Sequence, residues 1–385
     1  MQQTTQPPAN SSLTETTLAG SRAGAALVGS ERVSAPAPHD VGPLVERAEA
    51  LFAAGEPDLA LVDLGHALAA ARQGIPDYAR AANDIGVIFF QRQRADLAMP
   101  FLRRAAATGS SSSLHEENLA AVLRVHDGTE GPRPANVAKT HEFDSASDWV
   151  IDAINQARAL TSFAQRSVLE IGGAVPPETV SPLGVACWTA LDPQATPSAW
   201  EKYRTLPGCA QNLPFPPASF DFVFSSCAFE HMAGMPQVMA EIGRILVPGG
   251  VLFSQFSPIW SCMTGHHVWV QHENKVVLSF ADGVIPRWAH LLWRESEMQA
   301  FLEPIFGSEI AAEAAHQVYH HPHINRVFAD EFYTLFAHCG LVTERLESNG
   351  GYYPPPPRMV ERLAAAYPAF RDFASAGFRL LMRKP

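Results

Sequence analysis

Residues 213–253 read LPFPPASFDFVFSSCAFEHMAGMPQVMAEIGRILVPGGVLF, and this stretch decides the fold. A proline-bounded turn leads into the apolar run FDFVFSS, which suits a buried strand. The pair Glu230 and His231 follows it. Next come an amphipathic helical segment, a Pro-Gly-Gly stop and a second apolar strand. Strand, helix and strand in that order make a parallel crossover unit. The strand ends SSCAFEH and SQFSPIW therefore open on one edge of the sheet, where such folds bind small molecules.

The same alternation extends to either side. SASDWVIDAINQARALTSFA reads as a capped helix, SVLEIGG as a buried strand ending in an acid and two glycines, and ACWTALDP as a second strand ending in an acid. Toward the C-terminus VFADEFYTLFAHCG reads as a helix, LVTERLES as a strand and AGFRLLMRKP as a final strand. The turn LEIGGAVPP lets backbone N–H groups approach a ligand closely. Asp192 lies twenty-two residues after Glu170, where a carboxylate can accept hydrogen bonds from a ribose diol. Pro176 and Pro177 break the helix that a pyrophosphate would need, which favours an adenosyl ligand without phosphates.

Residues 39–127 have helical periodicity punctuated by Gly55, Gly74 and Gly109. Ile85-Gly86, Phe89, Ala98, Leu102 and Ala105 fall at the spacing of packing positions in a tetratricopeptide repeat. Leu119-Ala120 recurs 34 residues after Ile85-Gly86, and Leu51, Ala60, Leu64 and Ala67 resemble an earlier copy. Such a module suits three roles: a cap that extends the core, a docking groove for a protein partner or a second subunit, or a lid. Residues 1–38, rich in Thr, Ser, Pro, Ala and Gly, read as a disordered tail without a secretory leader. Residues 128–143 read as a Gly/Pro-rich linker, and 144–385 as the sheet domain.

Composition narrows the function. The net charge of -11 over 385 residues argues against nucleic acid or an anionic membrane as partner. No apolar run reaches the roughly 18 residues that span a bilayer. The five cysteines show no C-x-x-C spacing, which fits a reducing cytoplasm better than a disulfide framework or a zinc knuckle.

VLEIGG, LDP, the block from Leu213 to His231, EIGRILVPGGVLF and the closing GFRLLMRKP together resemble the class I S-adenosylmethionine-dependent methyltransferases, nearest to the branch that modifies small molecules and glycans. The resemblance covers about residues 145–385. It implies an α/β, Rossmann-like sheet of seven strands, the last antiparallel, with S-adenosylmethionine as cofactor. It implies further that Glu170, Gly172 and Gly173 form the cofactor turn and that Asp192 and Pro193 hold the ribose. Cys209, Ala210 and Gln211 would line the adenine, and Ser225 and Ser226, with Cys227, would sit below the methionine part. The chain departs from the family pattern at Ala174, where a second turn glycine is usual, and at Cys209, where an acid is common. The three prolines of AVPPETVSPLG are a further departure, so the cofactor site reads as a variant form.

The acceptor side is written in aromatics and histidines. FSPIWSCMTGHHVW, IPRWAHLLW and HQVYHHPHIN carry most of them, and nine of the fifteen histidines lie between 266 and 338. Trp260, Trp269, His290 and Tyr319 are the expected substrate contacts. Transfer of a methyl group to a hydroxyl needs alignment and a base, and His231, His266 and His267 are the expected bases. No matching acidic ligand pattern accompanies them, so no metal site is expected. The resulting expectation is O-methylation of a small molecule, a phenol, sugar or amino-acid-like acceptor. Two alternatives stay open: an enzyme that cyclises S-adenosylmethionine and releases methylthioadenosine, and a non-catalytic interaction scaffold.

Overall fold

The computed structural model describes residues 41–71, 76–108, 113–125, 148–173 and 175–385. The tail 1–38, the linker 128–143 and Ala174 lie outside the described residues. Five helices come first: α1 (Gly42–Ala53), α2 (Pro57–Ala70), α3 (Pro76–Gln91), α4 (Ala95–Ala107) and α5 (Ser113–Val125). Then follow α6 (Asp148–Leu160), β1 (Ser167–Ile171), α7 (Pro177–Val180), β2 (Cys187–Asp192), β3 (Ser198–Trp200), β4 (Tyr203–Pro207) and β5 (Phe220–Ser226). The quoted stretch continues as α8 (Met235–Ile245) and β6 (Leu246–Phe256). The remainder is β7 (Trp269–His272), β8 (Lys275–Ser279), α9 (Ala289–Leu292), α10 (Glu295–Phe306), α11 (Ser308–Tyr319), α12 (Ala329–His338), β9 (Val342–Ser348), α13 (Pro357–Ala366) and β10 (Phe378–Arg383).

The main sheet has the order β3-β4-β2-β1-β5-β6-β10-β9. Strands β4, β2, β1, β5 and β6 are parallel, and β10 runs antiparallel to both β6 and β9. The expected seven strands with an antiparallel last strand are therefore present. An eighth, β3, pairs antiparallel with β4 and was not expected. Its three residues are all exposed, so no apolar alternation announces it. Buried strands with both faces covered read as continuous apolar runs, as in β1 and β5. The chain leaves β1 toward β2 on one side and later takes up β5 on the other. That reversal puts the sheet's switch point, the usual ligand crevice, at the carboxyl ends of β1 and β5.

Helix α8 buries Met235, Val238, Met239, Ile242 and Ile245, one stripe at helical spacing. On its outer side Arg244 pins the proline turn, donating to the carbonyls of Phe215 at 2.7 Å and Leu213 at 3.0 Å. The Pro-Gly-Gly stop becomes a bulge at the start of β6. Phe220 pairs with Leu246 and Phe222 already pairs with Val251, and Gly249 takes a left-handed φ of 78°.

The helices α1–α5 do not form a separate core. Their apolar faces share one cluster with residues from Trp260 to Ile324 and from Met359 to Phe373. Phe89 and Phe101 pack on Phe301 of α10, with ring centroids 6.2 and 5.5 Å apart. Within the helices, a Cβ at Gly86 would meet the Leu102 side chain at 2.5 Å, so glycine permits the close approach of α3 and α4. At Gly65 of α2 a Cβ would lie 2.3 Å from the Trp293 ring, whose Nε1–H donates to Val62 O at 3.0 Å. Helix propensity alone would make Gly65→Ala stabilising by about 1 kcal/mol. Overpacking against a fully buried indole costs about 1–3 kcal/mol and decides the sign. We expect Gly65→Ala to lower the melting temperature; an unchanged or higher value would mean that Trp293 does not fix this approach. No described helix is long and apolar enough to cross a membrane.

Candidate active site

The turn after β1 is shaped by Glu170. Its buried carboxylate accepts the Val175 N–H at 3.0 and 3.1 Å and the Trp188 Nε1–H at 2.8 Å. Burial outweighs these bonds and pushes the carboxyl up to about 7. A Cβ at Gly173 would strike the Glu170 carboxylate at 2.6 Å, and one at Gly172, where φ is 79°, would strike Ala228 at 2.4 Å. Both glycines are thus required by the turn's own packing. Glu170 spends its oxygens inside the turn and positions it. The prolines act as expected: α7 is four residues long and passes straight into a 3-10 turn at Ser181–Leu183.

Asp192 ends β2 beside this turn, and Gly172 N–H donates to the preceding Leu191 carbonyl at 2.9 Å. One Asp192 oxygen accepts the Gln194 N–H at 2.8 Å, and the other has no partner among the described residues. Pro193 and Cys209 are exposed next to it, while Ala210 is buried beneath. The Gln211 amide is committed to the Ala233 carbonyl at 2.7 Å. Ser225 is buried and donates to Ile171 O at 2.9 Å, locking the end of β5 to the end of β1. Ser226 leads to Cys227, a non-glycine residue at φ 51° whose thiol is pushed up to about 12 by burial and by Glu230.

Beyond β5 a 3-10 turn, Phe229–His231, carries the acid–histidine pair. Glu230 is buried, its oxygens make no hydrogen bond of normal geometry, and burial raises its carboxyl to about 8. His231 meets two histidines from distant loops. Its ring centroid is 4.8 Å from that of His267 and 4.1 Å from that of His323. His231 Nδ1 lies 2.7 Å from the His323 carbonyl, which can only accept, so Nδ1 carries the proton and Nε2 the lone pair. Asn325 fastens the two segments together, donating to Phe229 O at 2.6 Å and to Met232 O at 3.2 Å. His267 sits at φ 43°, and its Nδ1 is buried without a hydrogen-bond partner. Burial lowers the pKa of all three; for His323 it falls to about 4.

The other expected residues divide. His266 turns inward to His290, 5.6 Å between ring centroids, and His290 Nε2 donates to Trp260 O at 2.8 Å. Trp260 and His290 therefore meet, in the interior. Trp269 stands 40% exposed on the β7–β8 hairpin, and the Tyr319 hydroxyl donates to Trp293 O at 2.9 Å. The sequence reading passed over His323 as a site residue. Its signal was the density of histidines, which does not say which of them meet.

Residues 180–254 match the family model of the methyltransferase domain. Over that stretch the chain is similar to methyltransferase domains. The match starts after β1, so the glycine turn lies outside it. Over 69 residues the chain is 38% identical to the biotin biosynthesis bifunctional protein BioHC of Cellvibrio japonicus, covering 18% of this chain and 14% of that protein. The chain thus matches a small part of that relative's length. A methyltransferase of Mesorhizobium loti, S-adenosylmethionine dependent, shares 12% identity over 60% of this chain and 96% of its own, at a TM-score of 0.36. Phosphoethanolamine N-methyltransferase 2 of Haemonchus contortus, solved with S-adenosyl-L-methionine, shares 13% over 63% of this chain and 54% of its own, also at 0.36.

S-adenosylmethionine is the cofactor that a methyltransferase domain implies, and the switch-point edge fits it. At that edge Asp192 has one carboxylate oxygen without a partner among the described residues, the Gly172–Gly173 turn leaves backbone uncovered by a Cβ, and α7 is only four residues long.

Proposed function

We propose that the chain is a cytoplasmic methyltransferase that uses S-adenosylmethionine to methylate an oxygen of a small molecule or sugar. The observation that carries this reading is the segment Ala228–Met232. A Cβ at Gly172 would touch both Ala228 and Met232, and His231 between them opens the histidine group. The cofactor turn and a set of free imidazole nitrogens are thereby neighbours. S-adenosylmethionine, when bound, supplies a methyl carbon held on a sulfonium. Asp192 would accept the ribose hydroxyls, Gly172 and Gly173 would offer backbone, and Cys209 to Gln211 would flank the adenine. Ser225 keeps the ends of β1 and β5 in fixed register. His231 Nε2, its tautomer set by the His323 carbonyl, would take the proton of an acceptor hydroxyl, with His267 beside it.

The test uses the full chain with S-adenosylmethionine, first alone and then with phenol, sugar and amino-acid acceptors, read by mass spectrometry. Cofactor retained unchanged when alone, and demethylated once an acceptor is added, is the expected result. Enzyme-dependent methylthioadenosine from the cofactor alone would overturn methyl transfer in favour of cyclisation. No retention would leave the scaffold reading. In the same assay Asp192→Ala should weaken cofactor binding about ten- to a hundredfold, since hydrogen bonds to a charged group are worth about 1.5–3 kcal/mol. Unchanged affinity would remove Asp192 from the site.

A further inference from the structure

We propose that His231, His267 and His323 bind a divalent transition metal of the zinc class through three imidazole nitrogens. Each offers one ring nitrogen, and these atoms lie within 4.8 Å of one another. They come from three separate places: the 3-10 turn after β5, the loop after β6 and the loop between α11 and α12. No sequence spacing links them, and the fold alone brings them together.

Two observations point to a ligand there. The first is the outer hydrogen bond. An imidazole that ligates a metal characteristically donates its other N–H to a carbonyl or carboxylate, and His231 Nδ1 does so to the His323 carbonyl at 2.7 Å. The second is His267 Nδ1, a buried nitrogen with no hydrogen-bond partner. Such orphans are rare in folded proteins, and an ion is one of the few things that satisfies them. Stacking of three aromatic rings would account for their packing, but not for the orphaned nitrogen.

The donor set indicates the metal. Imidazole suits zinc, copper, nickel and iron, whereas magnesium and calcium take oxygen. Zinc–nitrogen bonds of about 2.0–2.1 Å put tetrahedral ligand nitrogens about 3.4 Å apart, so the present spread closes by rotation of the rings. Three protein ligands leave a fourth position open for water or for an oxygen of the acceptor. If the methyltransferase reading holds, His231 Nε2 would ligate the metal in place of acting as the base, and the metal would lower the acceptor hydroxyl's pKa so that its proton leaves to water. The metal assignment itself does not depend on that reading.

Full-length protein stripped with a chelator and titrated with Co2+ alone, followed by visible absorption, tests the site. The expected result is a d–d band that saturates at one Co2+ per chain and is erased by Zn2+. His323→Phe keeps the ring stack and removes the nitrogen, and it should raise the Co2+ Kd more than about 100-fold, beyond what outer-shell partners cost. His267→Ala should do the same, with apo melting of the two variants compared as the control for folding. A second group, Glu295, His316 and His320, is exposed and serves as the contrast. His320→Ala should leave the titration unchanged. No saturable band, undiminished binding in His323→Phe, or loss in His320→Ala alone would overturn the proposal. The titration contains no S-adenosylmethionine, so its failure leaves the transferase reading standing, and the reverse also holds.

Discussion

Glu170→Ala is expected to destabilise the protein by about 4 kcal/mol and to abolish cofactor retention. The Val175 N–H and the Trp188 Nε1–H would both lose their acceptor inside the core. A buried donor left unsatisfied costs about 1–3 kcal/mol, and the vacated volume adds to two such losses. Urea unfolding measures the effect. A loss below about 1 kcal/mol would mean that the turn holds its shape without the acid. The pH dependence gives a second reading. The folded state keeps the Glu170 proton up to about 7, against 4.5 for the free side chain, so between those values the folded form binds more protons than the unfolded form. Its contribution to stability is therefore complete below pH 4.5 and is lost as the pH rises through 7. At ~1.4 kcal/mol per pH unit the loss is on the order of 3 kcal/mol. Glu170→Gln should flatten that slope relative to the parent; an identical slope in both would assign the titration to another group.

The double substitution Arg47→Ala with Arg362→Ala is expected to cost about 3–5 kcal/mol. Asp63 of α2 is fully buried, and its carboxylate is held by Arg47 Nε at 2.6 Å, Arg47 Nη2 at 2.8 Å and Arg362 Nη2 at 2.7 Å. Removing both cations strands a buried anion, whereas either arginine alone keeps part of the compensation. Adding Asp63→Leu to the double variant should recover much of the loss, because a buried ionic group replaced by apolar volume is often neutral. If the double variant unfolds in urea like the parent, neither the charges nor the stems of the two arginines contribute to stability. Since Arg362 lies on α13, the same triad ties the end of the chain to the first helices.

The candidate residues whose place in the fold was legible had local causes. Glu170 and Gly172-Gly173 were readable because a strand that stops at a tight turn needs those residue types in sequence. Asp192 was readable because it ends the next strand. The histidines were harder. His266 and His267 are adjacent in sequence, yet one turns in toward His290 and the other out toward His231. A left-handed φ of 43° at His267 is part of that divergence, and no composition signal reports it. Trp269 and Tyr319 likewise have a type suited to a binding pocket, but one stands on an exposed hairpin and the other donates to a backbone carbonyl.

What the sequence determined by itself is the alternation of strands and helices, the parallel crossover unit of residues 213–253 and the glycine turn after β1; the seven-strand order with an antiparallel last strand was what the family resemblance implied. Apolar periodicity and turn chemistry act over a few residues, and a linear reading has access to that range. Only the tertiary structure decided which distant residues meet. It joined α1–α5 to the elements that follow β6 in one core and placed Trp293 under Gly65. It also drew Asp63 to Arg362, 299 positions away, and His231 to His323, 92 positions away. Those meetings depend on how whole elements pack, where volume, burial and charge are settled jointly and no single stretch of chain contains the answer.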